Sequence, residues 1–182
     1  TEVTLSAEET PVLGEDFVLE IKANDSTVKS ADIGIKLLSY FIKYWNNFRV
    51  EAGENYALDG EAVYNSKEDE ISFKVSKNAD ASSESNVIAR VIFSIPTDVP
   101  KGLEVTYRVS KGALVFDDDS KGTFSGKITT QCSSPLLVNI ETNVVGTEGG
   151  YIDVSDAEGN PVAGANVYTD ANILLGVTDE NG

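Results

Sequence analysis

Histidine is absent from all 182 residues, and cysteine and tryptophan occur once each. Without His there is no imidazole general base, no Ser-His-Asp or Cys-His system, and the commonest zinc ligand is missing. Cys132 alone excludes an intrachain disulfide, and such cysteine poverty fits a bacterial surface protein as well as a cytosolic one. Basic residues are scarce: 14 Lys and Arg face 30 Asp and Glu, for a formal net charge of −16. That field repels nucleic acid and anionic membrane surfaces, so neither is expected as a partner. No apolar run approaches the roughly 20 residues of a spanning helix, and no membrane insertion is expected. No signal peptide is visible and the first residue is Thr1, so the sequence reads as a mature or excised segment. A Gly-rich phosphate loop and a Cys cluster are also missing. Carboxylate pairs such as Glu8-Glu9, or the run Glu68, Asp69, Glu70, are too common in so acidic a chain to signal catalysis, and read as solvated faces. No catalytic residue, resident metal or cofactor is expected, and the chain does not read as an enzyme.

What remains is a β-forming chain. It is 41% hydrophobic, which suffices for a packed core. Residues 87–127 organise it. Val87, Ala89, Val91, Phe93 and Ile95 alternate with Ile88, Arg90, Ile92 and Ser94, placing the two sets on opposite faces of a strand. Pro96, Pro100 and Gly102 mark a turn, after which Leu103, Val105, Tyr107 and Val109 alternate again. A second turn at Asp117, Asp118, Asp119 and Gly122 leads into a strand over 123–128. Upstream, strands are expected at 3–5, 17–23 and 33–38. Further strands follow at 48–51 and 71–76, around a polar stretch at 55–70 able to hold a short hairpin, and 78–86 reads as a flexible surface loop. Eight or nine strands without helical periodicity predict an all-β, jelly-roll-like antiparallel β-sandwich over residues 1–131, with a linker at 132–135.

Two features carry open alternatives. Tyr40, Phe41, Tyr44 and Trp45 form an aromatic patch. It either caps one end of the core or, through Tyr40, Tyr44 and Trp45, makes a platform for stacking polysaccharide or binding a partner. The acidic turn 117–120 is either an ordinary Asp-Gly turn or a calcium site, although EF-hand ligand spacing is absent.

The segments IARVIFSIPTDVPKG (88–102) and ALVFDDDSKGTFSGKIT (113–129) resemble cellulosomal cohesin modules in their order and spacing. The departure lies at 39–48, where SYFIKYWNNF stands in place of the usual Tyr-Asp-Pro step. The piece from Val154 to Gly182 is similar to the carboxypeptidase regulatory-like domain: Asp156, Gly159, Asn160, Pro161, Gly164, Ala165, Val167, Thr178, Asp179, Asn181 and Gly182 stand at its turn and strand positions. This resemblance implies a partial transthyretin-like or Ig-like β-sandwich over 136–182, with later strands missing.

The cohesin resemblance implies a non-catalytic, extracellular or bacterial cell-surface interaction module that grips a calcium-loaded dockerin on a flat sheet. By position, the contacts it implies are Asp32, Lys36 and Leu38; Ser72, Lys74 and Ser76; Ile88, Arg90 and Ile92; and Asp119. Ile88 and Ile92 are expected as exposed apolar area flanking Arg90. The alternative function is a carbohydrate-binding or adhesive module using Tyr40, Tyr44 and Trp45.

Overall fold

The computed structural model describes residues 1–39, 47–97, 102–133, 136–141, 151–156, 158–169 and 171–182. The aromatic patch Tyr40, Phe41, Tyr44 and Trp45 lies outside them. All regular structure among the described residues is β, and the chain divides into two compact units, Thr1–Ser133 and Ser134–Gly182.

Among the described residues the first unit holds eleven strands, two to three more than the sequence pattern implies, in part because the polar stretch 55–70 carries two short ones. They are β1 (Val3–Ser6), β2 (Asp16–Ala23), β3 (Val28–Leu38), β4 (Phe48–Ala52), β5 (Tyr56–Leu58) and β6 (Val63–Asn65). Then come β7 (Glu70–Lys77), β8 (Val87–Ser94), β9 (Glu104–Phe116), β10 (Lys121–Thr123) and β11 (Lys127–Gln131). A smaller sheet runs β1-β2-β8-β4. A larger one runs β10-β9-β3-β7-β5, with β11 also on β9 and β6 also on β7. All of these pairs are antiparallel.

Alternation decides which side of each sheet is apolar. Phe17, Leu19 and Ile21 of β2 and Ala89, Val91 and Phe93 of β8 face the interior from one sheet. Ile33, Ile35 and Leu37 of β3, Ile71, Phe73 and Val75 of β7, and Val105 and Tyr107 of β9 face it from the other. Rings from opposite sheets meet at the centre, with Tyr107 lying 5.5 Å from both Phe17 and Phe93. The geometry is that of aromatic pairs that add to simple burial. The Tyr56 hydroxyl donates to the Val28 carbonyl at 3.0 Å, and burial pushes its pKa up to about 12.

Cys132 and Ser133, expected in a linker, belong to this unit. Cys132 is buried, its N–H donates to the Leu103 carbonyl, and the Ser133 N–H donates to the Pro11 carbonyl. The last strand therefore holds on to the first loop beyond its own ladder. Loop 78–86, expected to be free, is clamped as well. The Asn55 side chain donates to the Ser83 and Ser85 carbonyls at 2.8 and 3.0 Å and accepts from the Ser83 N–H at 2.9 Å.

The second unit contains two hairpins, β12 (Leu136–Glu141) with β13 (Tyr151–Asp156), and β14 (Asn166–Tyr168) with β15 (Leu174–Val177). Its turns are made by the residues that the sequence singles out. Asp156 Oδ1 accepts from the Glu158 and Asn160 backbone N–H groups, and Gly159, Gly164 and Gly182 all have positive φ. Tyr168, Ile173, Leu174, Leu175 and Val177 are exposed.

Candidate functional site

The outer face of the larger sheet is built by the positions that alternate with the core stripe. On β3 these are Ser30, Asp32, Gly34, Lys36 and Leu38; on β7 they are Ser72, Lys74 and Ser76. Register brings them together: Ser30 stands opposite Ser76, Asp32 opposite Lys74 and Gly34 opposite Ser72. Six of the ten expected contact residues thus share one face. Asp119 sits at one end of the same sheet, in the turn between β9 and β10 with φ of +62°.

The face is charged and locally paired. Lys111 Nζ lies 2.6 Å and Lys74 Nζ 3.7 Å from Asp32 Oδ2, so one carboxylate joins β9, β3 and β7. Lys36 pairs with Glu68 at 2.7 Å, which holds the Glu68 carboxyl below its ordinary pKa. Ser76 Oγ donates to Asp59 Oδ2 at 2.6 Å. Two apolar side chains interrupt the polar field, Leu38 at 44% exposure and Val63 at 56%. A shallow groove of about 460 Å³ follows the face between β10 and β5, past Asp32, Lys74, Ser76, Ala113 and Lys121.

Ile88, Arg90 and Ile92 are not on this face. They belong to β8 in the smaller sheet, so the ten residues are divided between two sheets. Neither isoleucine is exposed: Ile88 is 0% and Ile92 5% accessible. The reason for Ile88 is a β-bulge. Ile21 pairs with Ala89 but Lys22 with Val87, so Ile88 is an extra residue, and it joins the core cluster together with Ala89. Ile92 keeps its outward register but lies between Val18 and Arg49 on an inner strand of its sheet. Arg90 pairs with Glu20 at 3.1 Å and lines a depression of about 370 Å³ with Glu8, Glu9, Asp16 and Val18.

The acidic turn does not gather its carboxylates around a common point. Asp117 pairs with Lys77 at 2.8 Å, Asp119 pairs with Lys29, and Asp118 accepts from the Ser120 N–H and hydroxyl, which lowers its pKa. Among the described residues no three Asp, Glu or Cys side chains converge as metal ligands do.

Sequence reasoning missed the contribution of β9 and β11. Thr106 and Arg108 alternate with Val105, Tyr107 and Val109 and were legible as outward positions. A bulge then shifts the register between Gly34 and Ile35, so that Gly34 pairs with Lys111 and Ile35 with Val109. Both Ser110 and Lys111 are exposed there, which a strict period of two forbids.

No protein-family model and no curated protein sequence matches the chain. Solved structures of similar fold are found. A cohesin module of a Clostridium perfringens family 33 glycoside hydrolase superposes with a TM-score of 0.54 at 8% identity, over 73% of this chain and 96% of that one. A type I cohesin–dockerin complex from Clostridium thermocellum gives 0.52 at 13% identity, over 74% and 99%. The sixth cohesin of an Acetivibrio cellulolyticus scaffoldin, solved with a dockerin, gives 0.50 at 12% identity, over 74% and 99%. At these identities the likeness shows the fold, a cohesin-like β-sandwich.

Proposed function

We propose that the chain is a non-catalytic, extracellular interaction module of a bacterial surface or scaffold assembly, and that the outer face of its larger sheet binds a calcium-loaded dockerin-type partner. The observation that carries this reading is the gathering of Asp32, Lys36, Leu38, Ser72, Lys74 and Ser76 on one face by the β3–β7 register. Two of the similar folds were solved with dockerins, which supports the partner class. The absence of histidine supports a binding role over a catalytic one. Leu38 supplies apolar area to desolvate, while Asp32 and Lys74 set register and exclude partners of the wrong charge. The second unit, as a carboxypeptidase regulatory-like piece, acts as a neighbouring spacer in this reading.

The test is calorimetric titration of the chain with a panel of purified dockerin modules, first in calcium and then in chelator. Saturable, calcium-dependent binding is expected, weakened at least tenfold by Leu38→Asp with Lys74→Glu and unchanged by Arg90→Gln on the opposite sheet. Absence of calcium-dependent binding across the panel, or equal loss with Arg90→Gln, removes the proposal.

A further inference from the structure

The chain carries net charge −16, yet six of its 14 basic residues, Lys36, Lys74, Arg108, Lys111, Lys121 and Lys127, stand at outward positions of the larger sheet. Lys36, Lys74 and Lys111 are neutralised by a neighbour, whereas Arg108, Lys121 and Lys127 have no ion-paired partner among the described residues, and of these three Arg108 and Lys127 stand side by side. Register places Lys127 of β11 directly opposite Arg108 of β9, and Arg108 directly opposite Lys36 of β3. Cross-strand neighbours on one face lie about 5 Å apart, and like charges there oppose sheet stability. Lys36 has Glu68 as its counter-charge. Arg108 and Lys127 are both exposed, and neither has a hydrogen-bonded or ion-paired partner among the described residues.

An acidic chain with 30 carboxylates has ample means of pairing two surface cations, and here it leaves them side by side. Around them lie Thr106 and Thr129, whose hydroxyls bond each other at 2.8 Å, and exposed Leu38, which stands opposite Thr106. The patch thus combines two free cations, hydroxyls and one apolar anchor on a flat surface. No aromatic ring occupies an outward position of β3, β9 or β11, so these strands offer a sugar nothing to stack on.

We infer that Arg108 and Lys127 form the anion-binding end of the interaction face, and that the partner presents an acidic protein segment there, with carboxylates at Arg108 and Lys127 and an apolar side chain against Leu38. This rests on the reading of the larger sheet as the interaction face and adds the charge of what it takes. An Arg fork beside an ammonium suits two neighbouring carboxylates better than a single diffuse charge. The net charge of −16 repels the same segment over the molecule as a whole, so orientation follows from charge as well as affinity.

The experiment titrates the isotope-labelled full chain with a hexaglutamate peptide at about 150 mM salt, where a Debye length of about 8 Å screens whole-protein repulsion but leaves contact-range attraction. Amide shift changes are expected to saturate and to centre on β9, β11 and the end of β3 near Leu38. The Arg108→Gln, Lys127→Gln double variant is expected to bind at least tenfold more weakly and to melt at the same or a higher temperature. Lys121→Gln is expected to bind as the unaltered chain does. Absence of shift, shifts centred elsewhere, or a lower melting temperature in the double variant overturns the inference. So does polygalacturonate binding the same residues as tightly, since the site then takes an acidic polysaccharide. Hexaglutamate binding with no dockerin binding removes only the dockerin class. Dockerin binding that survives the double substitution removes the anion site and leaves the dockerin reading standing.

Discussion

Asn55 is a polar side chain at 4% exposure, and its amide uses two donors and one acceptor on the Ser83–Ser85 backbone. Replacing it with Ala leaves three backbone groups of loop 78–86 without partners, which costs about 2–3 kcal/mol. Urea denaturation of Asn55→Ala should show a lower midpoint, with hydrogen exchange accelerated first at 83–85. Cys132 is buried, and burial pushes its thiol pKa up, so the nucleophilic thiolate is both rare and shielded. A thiol reagent at mildly alkaline pH should label it at the unfolding rate, and rapid labelling of the native chain would contradict its placement. Asp25 accepts from the Thr27 hydroxyl at 2.6 Å and N–H at 2.9 Å and from the Thr1 hydroxyl at 2.8 Å, which together hold its pKa at about 2 against an ordinary 3.8. A carboxylate depressed in the folded state stabilises above its unfolded pKa and loses that contribution as pH falls through the folded value. The melting-temperature gap between the unaltered chain and Asp25→Asn should therefore be constant above pH 4 and close between about pH 4 and 2.

At the scale of the element, the bulge in β8 decides more than any single side chain. It turns Ile88 into the core, and the Ile88 carbonyl accepts from the Gly53 N–H at 2.9 Å where the chain leaves β4. A Cβ on Gly53 would stand 1.8 Å from the Val87 carbonyl oxygen, so only glycine permits that approach. Gly53→Ala should cost about 3 kcal/mol as the β4 and β8 backbones are forced apart. The denaturant midpoint should fall with the slope of the transition unchanged. Ile88→Asp places a charge in an apolar interior without a partner and should unfold the domain. Lys74→Asp at an exposed position of β7 should leave the melting temperature within a few degrees.

For the molecule as a whole, the division at Ser133 predicts how truncations behave. A chain of residues 1–133 retains the two packed sheets and should melt cooperatively by itself. Ending at Gln131 removes buried Cys132, its bonds with Leu103 and Gly102, and the Ser133 bonds with Pro11 and Leu13. Losing a small buried side chain and several backbone bonds should lower the melting temperature by several degrees, read by calorimetry. Residues 134–182 expose most of the β14–β15 apolar side chains. Alone they should bind a hydrophobic dye and melt without a sharp transition.

Alternation of apolar and polar residues showed locally, from the sequence, that this is an all-β chain, and it set Phe73 and Val91 on one face of their strands and Ser72, Lys74 and Arg90 on the other. A side-chain period of two is a property of the strand itself, so no neighbour is needed to read it. Turn chemistry at Gly102, Asp119 and Gly159 was legible for the same reason, since positive φ is a local demand. Sheet membership was not legible. Nothing in residues 87–95 says that β8 pairs with β2 and β4 while β3 pairs with β7 and β9, and this alone separates Arg90 from Lys74. The two bulges were equally hidden. An extra residue is accommodated by what its partner strand can offer, and that contest, settled only when distant segments pack, put Ile88 in the core and Ser110 and Lys111 side by side on the surface.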